Sequence, residues 1–197
     1  MKKELEEQLY KKYPKLFAER NLPMTQTCMC WGCDHGDGWY NIIERMCSLI
    51  QHHIKETRKQ SAVIRRYNRA LKQAINGNDK NLRFYYANRL GWKNEAVDEF
   101  IERDLEKKEF REEWRKPPTQ LVFTQIKEKY GTLRVYYNGG DEFCSGVIDM
   151  AESMSSVTCE DCGVPGKVRD GGWIRTLCDN CEKAYKTRTF NVQNSKN

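Results

Sequence analysis

The chain reads as an α+β protein: a β-hairpin covered by helices, interrupted by a charged helical insertion and closed by a four-cysteine module. Three observations lead there. Residues 119–137 alternate apolar and polar side chains on either side of a turn, Lys129-Tyr130-Gly131, the pattern of two paired strands. Apolar residues recur at helical spacing before and after that hairpin, as Trp39, Ile42, Ile43, Met46, Cys47, Ile50 and Ile54 and again as Phe143, Val147, Ile148, Ala151 and Met154. Such stripes mark helices with one face on a core. Near the C-terminus two Cys-x2-Cys pairs, Cys159/Cys162 and Cys178/Cys181, stand fifteen residues apart.

Taken in order, residues 3–20 predict a short amphipathic helix with Leu5, Leu9, Leu16 and Phe17 as its apolar positions, bent or interrupted at Pro14. The stretch Cys28-Met29-Cys30-Trp31-Gly32-Cys33-Asp34-His35-Gly36-Asp37-Gly38-Trp39-Tyr40 concentrates thiols, one imidazole and two carboxylates. Cys28, Cys30, Cys33 and His35 form a candidate second metal site. The competing reading is a glycine-rich turn whose cysteines are small buried hydrophobes. Asp37 suits the N-cap of the helix that carries the Trp39–Ile54 stripe. His52 and His53 fall at its end and are expected to be exposed or lightly packed.

From Lys55 to Lys116 the composition shifts to long charged side chains. One helix carries Val63, Tyr67, Leu71 and Ala74 and breaks at Asn76-Gly77. A second carries Leu82, Tyr85, Tyr86 and Leu90. Asn94 caps a third with Val97, Phe100, Ile101, Leu105, Phe110 and Trp114, stopped by Pro117-Pro118. Residues 55–93 carry a net charge of +9 and residues 94–116 one of −3. Arg65, Arg66, Arg69, Lys72 and Arg83, with Tyr85 interleaved, form a candidate nucleic-acid surface. In the rival reading the acidic helix neutralises that arm. The expected organisation is 1–54 with 117–157 as core, 55–116 as insertion, and 158–197 as the cysteine module.

Two Cys-x2-Cys pairs at this separation are the spacing of a four-thiolate zinc site. Zinc takes soft ligands in a tetrahedron, and two tight turns facing each other supply them. With four protein ligands the site is closed, which makes it structural, because a catalytic zinc keeps a position for water. A knuckle, a short hairpin and a helix beginning at the second pair match a treble-clef finger, with a zinc ribbon as the other layout.

The chain has 197 residues, a formal charge of +6 and nine cysteines. Its opening, Met1-Lys2-Lys3-Glu4, has no apolar stretch of a secretory signal behind it, and no run reaches the length of a membrane span. The expectation is a reducing, cytoplasmic protein with no membrane partner, whose cysteines serve metal or packing.

Three pieces carry a resemblance: Cys30-Trp31-Gly32 with Gly36-Asp37-Gly38-Trp39-Tyr40; Gln125-Ile126-Lys127-Glu128-Lys129-Tyr130-Gly131-Thr132-Leu133-Arg134; and Thr158-Cys159-Glu160-Asp161-Cys162-Gly163 with Gly172-Trp173 and Thr176-Leu177-Cys178. Together they resemble small uncharacterised zinc-finger-bearing proteins of tailed bacteriophages and prophages. The resemblance implies an accessory protein acting in the host cytoplasm, and it implies no activity.

Two classes of function follow. A binding protein would contact nucleic acid, a host protein or an anionic signalling nucleotide through the basic arm and the zinc module. An enzyme acting on a phosphate-containing substrate would draw on Asp34, His35 and Asp37 as acid and base, with Lys127, Lys129 or Arg134 as electrophilic partners. No hydrolase, kinase or nuclease motif spacing accompanies that second set.

Overall fold

The computed structural model describes the backbone of all residues except 90, 92, 93, 113–115, 171, 172 and 195–197, and the side chains of these except 89, 94, 95 and 189–194. Leu90, Lys93, Trp114 and Gly172, which entered the sequence reading, lie outside the described residues. The element order is α1 (Lys3–Lys12), β1 (Cys33–Asp34), α2 (Tyr40–Ile75), α3 (Lys80–Phe84), α4 (Asn94–Lys107), β2 (Thr119–Lys129), β3 (Thr132–Gly140), α5 (Glu142–Ser155), β4 (Lys167–Arg169), β5 (Arg175–Leu177) and α6 (Asp179–Asn194), with short 3-10 turns at Met29–Trp31 and Asp37–Trp39 and a π-turn at Tyr85–Arg89. This is a mixed α+β protein with small sheets. The described residues form two compact units, Met1–Ile54 with Pro118–Asn197, and Lys55–Pro117.

In the first unit β2 and β3 pair antiparallel, with Ile126 opposite Val135 and Lys127 opposite Arg134. Tyr130 and Gly131 both have positive φ, the requirement of a two-residue type I′ turn, whose twist matches that of the strands. β1 joins β2 in parallel, placing Cys33 beside Ile126 and Asp34 beside Lys127, so the sheet order is β1-β2-β3. One buried cluster holds Leu9, Leu16 and Phe17, then Trp39, Ile43, Met46 and Ile50, with Phe123, Ile126, Leu133 and Val135 from the hairpin and Ile148 and Ala151 from α5. β3 is an edge strand, and α5 covers it: Leu133 N–H donates to Ser155 Oγ at 2.8 Å and Val135 N–H to Glu152 Oε1 at 2.8 Å. These side chains satisfy amides that an open edge would expose. Asp141 caps α5, accepting from Cys144 N–H at 3.2 Å.

The second unit buries Tyr67, Leu71, Leu82, Tyr85, Tyr86, Val97 and Ile101 around a carboxylate, Asp104. Tyr67 donates to Asp104 Oδ2 at 2.7 Å and Tyr86 donates to the same oxygen. Arg111 lies over the Tyr67 ring, 3.7 Å from its centroid, and donates to Tyr85 Oη at 2.8 Å.

Three boundaries differ from the sequence reading. α1 stops at Lys12 rather than continuing to residue 20, because the residue before Pro14 is driven out of the helical region; Tyr13 has φ −127° and ψ 53°. The helices expected at 39–54 and around 63–74 are one helix, α2. The intervening residues contain neither Gly nor Pro, so the change in composition there changes only what the helix faces. The third insertion helix ends at Lys107, where Lys108 takes a positive φ, a common helix stop.

Candidate metal centre and the adjoining cleft

Four thiols converge from two turns. After α5 the chain makes a tight turn in which Gly163 N–H returns to the Cys159 carbonyl at 2.9 Å, with Gly163 at φ 77°. Cys178 and Cys181 sit at the start of α6, and Cys181 N–H points at Cys178 Sγ at 3.5 Å. That amide brings the Cys178 thiol down to about 7, toward the thiolate a metal requires. The sulfurs of Cys159, Cys162, Cys178 and Cys181 all lie within 4.8 Å of one another. The Cys162–Cys178 separation is 3.7 Å. A tetrahedron with metal–sulfur bonds of about 2.3 Å has sulfur–sulfur edges of roughly 3.8 Å. The donor set and its spacing are therefore compatible with one metal ion.

The module is docked against the rest of its unit through glycines. A Cβ on Gly38 would fall 2.2 Å from the Cys159 carbonyl oxygen, and one on Gly36 would fall 2.3 Å from that of Glu160. The missing side chains let backbone meet backbone: Gly38 N–H donates to Glu160 O at 2.7 Å, and Trp39 Nε1 donates to Thr158 O at 2.9 Å. From the hairpin side, Thr176 Oγ1 donates to Gly131 O at 2.6 Å. The three motif blocks of the sequence thus meet at one place, the first cysteine turn and the strand facing it.

Glu160 stands at the centre of that meeting. It is buried, with Oε1 accepting from Gly36 N–H at 3.0 Å and Oε2 from Arg175 Nε at 3.1 Å. Burial pushes its carboxyl above the usual range, while Arg175 and Gly36 pull the other way. Arg175 also reaches Asp161 at 2.7 Å. Sequence spacing gave no signal for Arg175 or Glu160, because their partnership is made only by the β4–β5 hairpin.

His35 packs on Trp39, with ring centroids 5.8 Å apart, and is 6% exposed. Its Nδ1 lies 2.7 Å from Gly36 O. The carbonyl can only accept, so Nδ1 carries the proton and Nε2 is a lone-pair acceptor. Nε2 is buried and has no hydrogen-bond partner among the described residues. Burial lowers the imidazole to about 4, so it is neutral at pH 7. The ring lines a hollow of about 380 Å³ together with Asp34, Glu128, Trp173, Arg175 and Tyr185.

Among the described residues the second cysteine cluster is not gathered into a ligand group. Among the described residues, Cys28, Cys30, Cys33 and His35 do not come within ligand distance of one another as a set of three or more. Cys30 Sγ donates to Thr27 O at 3.3 Å, and Cys33 is buried in the core, where burial pushes its thiol up to about 12. The other group within reach of an ion is His53, Asp141 and Cys144. There His53 Nε2 pairs with Asp141 at 2.8 Å and stacks on Phe143, while burial holds the Cys144 thiol up at about 11. His53 is thus a packed partner of a helix cap, not a lightly held surface residue.

The proposed acid–base set disperses. Asp37 accepts from the Lys2 backbone at 2.7 Å and pairs with its ammonium at 3.1 Å. Lys127 lies over Tyr136, Lys129 over Tyr130, and Arg134 pairs with Glu152 at 3.6 Å. Asp34 shares the 380 Å³ hollow with His35, and Asp37 lines an adjoining hollow of about 690 Å³ with it.

In the second unit Arg65, Arg66, Arg69 and Lys72 are exposed along α2. Arg66 and Arg69 line a hollow of about 280 Å³ with Gln73, Asn81 and Phe84, whose ring is 67% exposed. Arg83 is neutralised by Asp79 at 2.6 Å and by Asp98. Tyr85 is largely buried beneath Arg111 yet lines this hollow as well, and Phe84 is the ring that faces out. Among the described residues no helix is long and apolar enough to cross a membrane. Compared with protein-family models, with curated proteins and with solved structures, the chain matches none of them.

Proposed function

We propose that this is a zinc-finger binding protein that contacts nucleic acid through the basic face of its second unit. The observation that carries the reading is the hollow formed by Arg66, Arg69, Gln73, Asn81 and the exposed Phe84, with Lys72 one helical step further along. Arg guanidinium groups match phosphate oxygens, and an outward-facing aromatic ring stacks with unpaired bases whatever their identity. Among the described residues Arg66, Arg69 and Lys72 make no ion pair, unlike Arg83, so their charge is available to a polyanion. Single-stranded nucleic acid is the target class that uses both features.

In this reading zinc is held by Cys159, Cys162, Cys178 and Cys181, and its chemistry is structural: it crosslinks two turns that bury little apolar surface. The order knuckle, hairpin, helix supports a treble-clef layout. The resemblance to phage and prophage proteins implies an accessory factor acting in a host cytoplasm, and the three motif blocks that carry it converge on the cysteine module.

The test is binding of a single-stranded oligonucleotide and its duplex across a salt series. Affinity for the single strand is expected to fall linearly in log–log form with salt. Replacing Arg66, Arg69 and Lys72 by Glu should abolish it with little change in melting temperature, because exposed charges contribute only about 0–1 kcal/mol each. Wild-type protein with no salt-sensitive binding to DNA or RNA would overturn the reading in favour of a protein partner.

A further inference from the structure

We propose that the apolar groove between α2 and α5 is a docking site for an acidic amphipathic helix of a partner protein. The juxtaposition that points there is an open groove of about 690 Å³ in which, among the described residues, Arg45 is the one charged side chain of the lining. The inference uses the other unit from the nucleic-acid reading and does not rest on it, so either can fail alone.

The two helices run antiparallel. Trp39, just before α2, donates to Thr158 O just past the end of α5, while His53, further along α2, stacks on Phe143 at the start of α5 with ring centroids 4.2 Å apart. Between them Ile42, Met46 and Leu49 form one wall, and Phe143, Met150 and Met154 the other. Leu49 is 52% exposed and Met150 62%. Large apolar side chains gathered on one open surface mark an interaction site, whereas scattered ones do not. From Phe143 to Met154 the groove runs about 16 Å at 1.5 Å per residue, the length of three helical turns. Gly146 has nothing within 4 Å of where a Cβ would sit, which leaves a notch between Phe143 and Met150 for a large apolar side chain of the partner. Methionine thioethers adapt their shape to what is placed against them.

Arg45 chooses the occupant. Its side chain is 84% exposed, and among the described residues its one carboxylate contact, with Glu44, is long at 3.9 Å. Glu44 is already held by Lys12 at 2.6 Å and by Tyr13 at 2.7 Å. The guanidinium is therefore available on the rim of an apolar surface, where a carboxylate is its complement. Asn41, also exposed, stands one turn before it on the same rim. Arg45 lies partway along the groove, with Ile42 before it and Leu49 after it. The occupant must then carry its carboxylate within its length, with large apolar groups on either side. A helix with apolar residues at i, i+3 or i+4 and i+7 and a carboxylate beside that stripe does so. A fatty acid carries its carboxylate at one end, and a basic helix would set like charges together.

The experiment is a display selection with the full chain as bait, from a library of helical peptides whose apolar stripe is fixed as Leu and whose flanking positions vary freely. The wild type should enrich Asp or Glu beside the stripe, and Arg45→Glu should enrich Lys or Arg there. The enriched acidic peptide, made synthetically, should bind the wild type saturably in calorimetry. Its Gln counterpart, or Arg45→Glu in the protein, should weaken binding about tenfold, the loss of one charge-assisted contact. Met150→Glu, at an exposed position that the fold does not need, should remove binding and leave the melting temperature unchanged. No enrichment beyond that on Met150→Glu bait, enrichment blind to charge, or a preference that Arg45→Glu leaves unchanged would each overturn the proposal. So would dodecanoate binding the same residues more tightly than the selected peptide, or a wild-type dimer in sedimentation that Met150→Glu makes monomeric.

Discussion

The two cysteine-rich stretches make an instructive pair. Residues 28–35 hold three thiols and an imidazole in eight positions, yet they gather no metal-binding group; residues 159–181 spread four thiols over 23 positions and bring them within 4.8 Å. The difference lies in backbone geometry. A Cys-x2-Cys turn aims two sulfurs the same way, and the short β4–β5 hairpin returns a second such turn to face the first. In the earlier stretch a 3-10 turn runs into a strand, so Cys33 points into the core and Cys30 back at Thr27. Ligand density along a chain counts for less than the number of independent turns that converge.

The largest expected effect comes from breaking the second member of the pair. Structural zinc in small modules contributes on the order of 10–16 kcal/mol of apparent binding free energy. Stripping the metal with a chelator should therefore abolish amide-exchange protection at Gly38 and Glu160, which bond across the module, while Leu133 and Val135, held by α5, stay protected. Unchanged exchange at Gly38 after complete metal removal would show that the module does not need the ion.

A smaller effect tests how the two stretches are joined. Gly38→Ala drives a methyl group against the Cys159 carbonyl and the Gly163 amide, 2.2 and 2.5 Å away. Neither is a flexible side chain, so the expected loss is about 3 kcal/mol, the upper part of the overpacking range. Gly146→Ala is the control: it lies in α5 with nothing within 4 Å of the new carbon and should stabilise by about 0.5–1 kcal/mol. Denaturant midpoints that move equally in both variants would sink the close-approach argument.

The smallest effect concerns His35. Its folded value, about 4, lies below the ordinary 6.5. The unfolded chain therefore binds a proton that the folded protein refuses as pH falls below 6.5. The associated stability is complete above 6.5 and is lost on the way down to 4. Between pH 7 and 5 the loss is about 2 kcal/mol. His35→Gln should remove that share of the pH dependence, measured as the difference between the two proteins' denaturation free energies at the two pH values. Parallel pH profiles would contradict it.

What could be read from the chain in advance follows a physical line. The Trp39–Ile54 stripe and the 119–137 alternation are local patterns, and both surfaced as core elements. The four thiols that the structure gathers are the ones whose spacing singled them out. Long-range pairings were silent: nothing local announces that Gly36 and Gly38 are small because a cysteine turn 120 residues later lies on them, or that Arg175 answers Glu160. Composition misled where it changed without a breaker, as in α2, and aromatic identity could not say which of Phe84 and Tyr85 faces solvent. That choice depends on Arg111 folding back over Tyr67.

The most direct test of the central claim is native mass spectrometry of freshly purified protein that has met no chelator. The account predicts one zinc ion per chain in the wild type and in a Cys28→Ser/Cys30→Ser variant, and none in Cys162→Ser/Cys178→Ser. A metal-free wild type, or an ion that survives loss of Cys162 and Cys178 and disappears with Cys28 and Cys30, would contradict it.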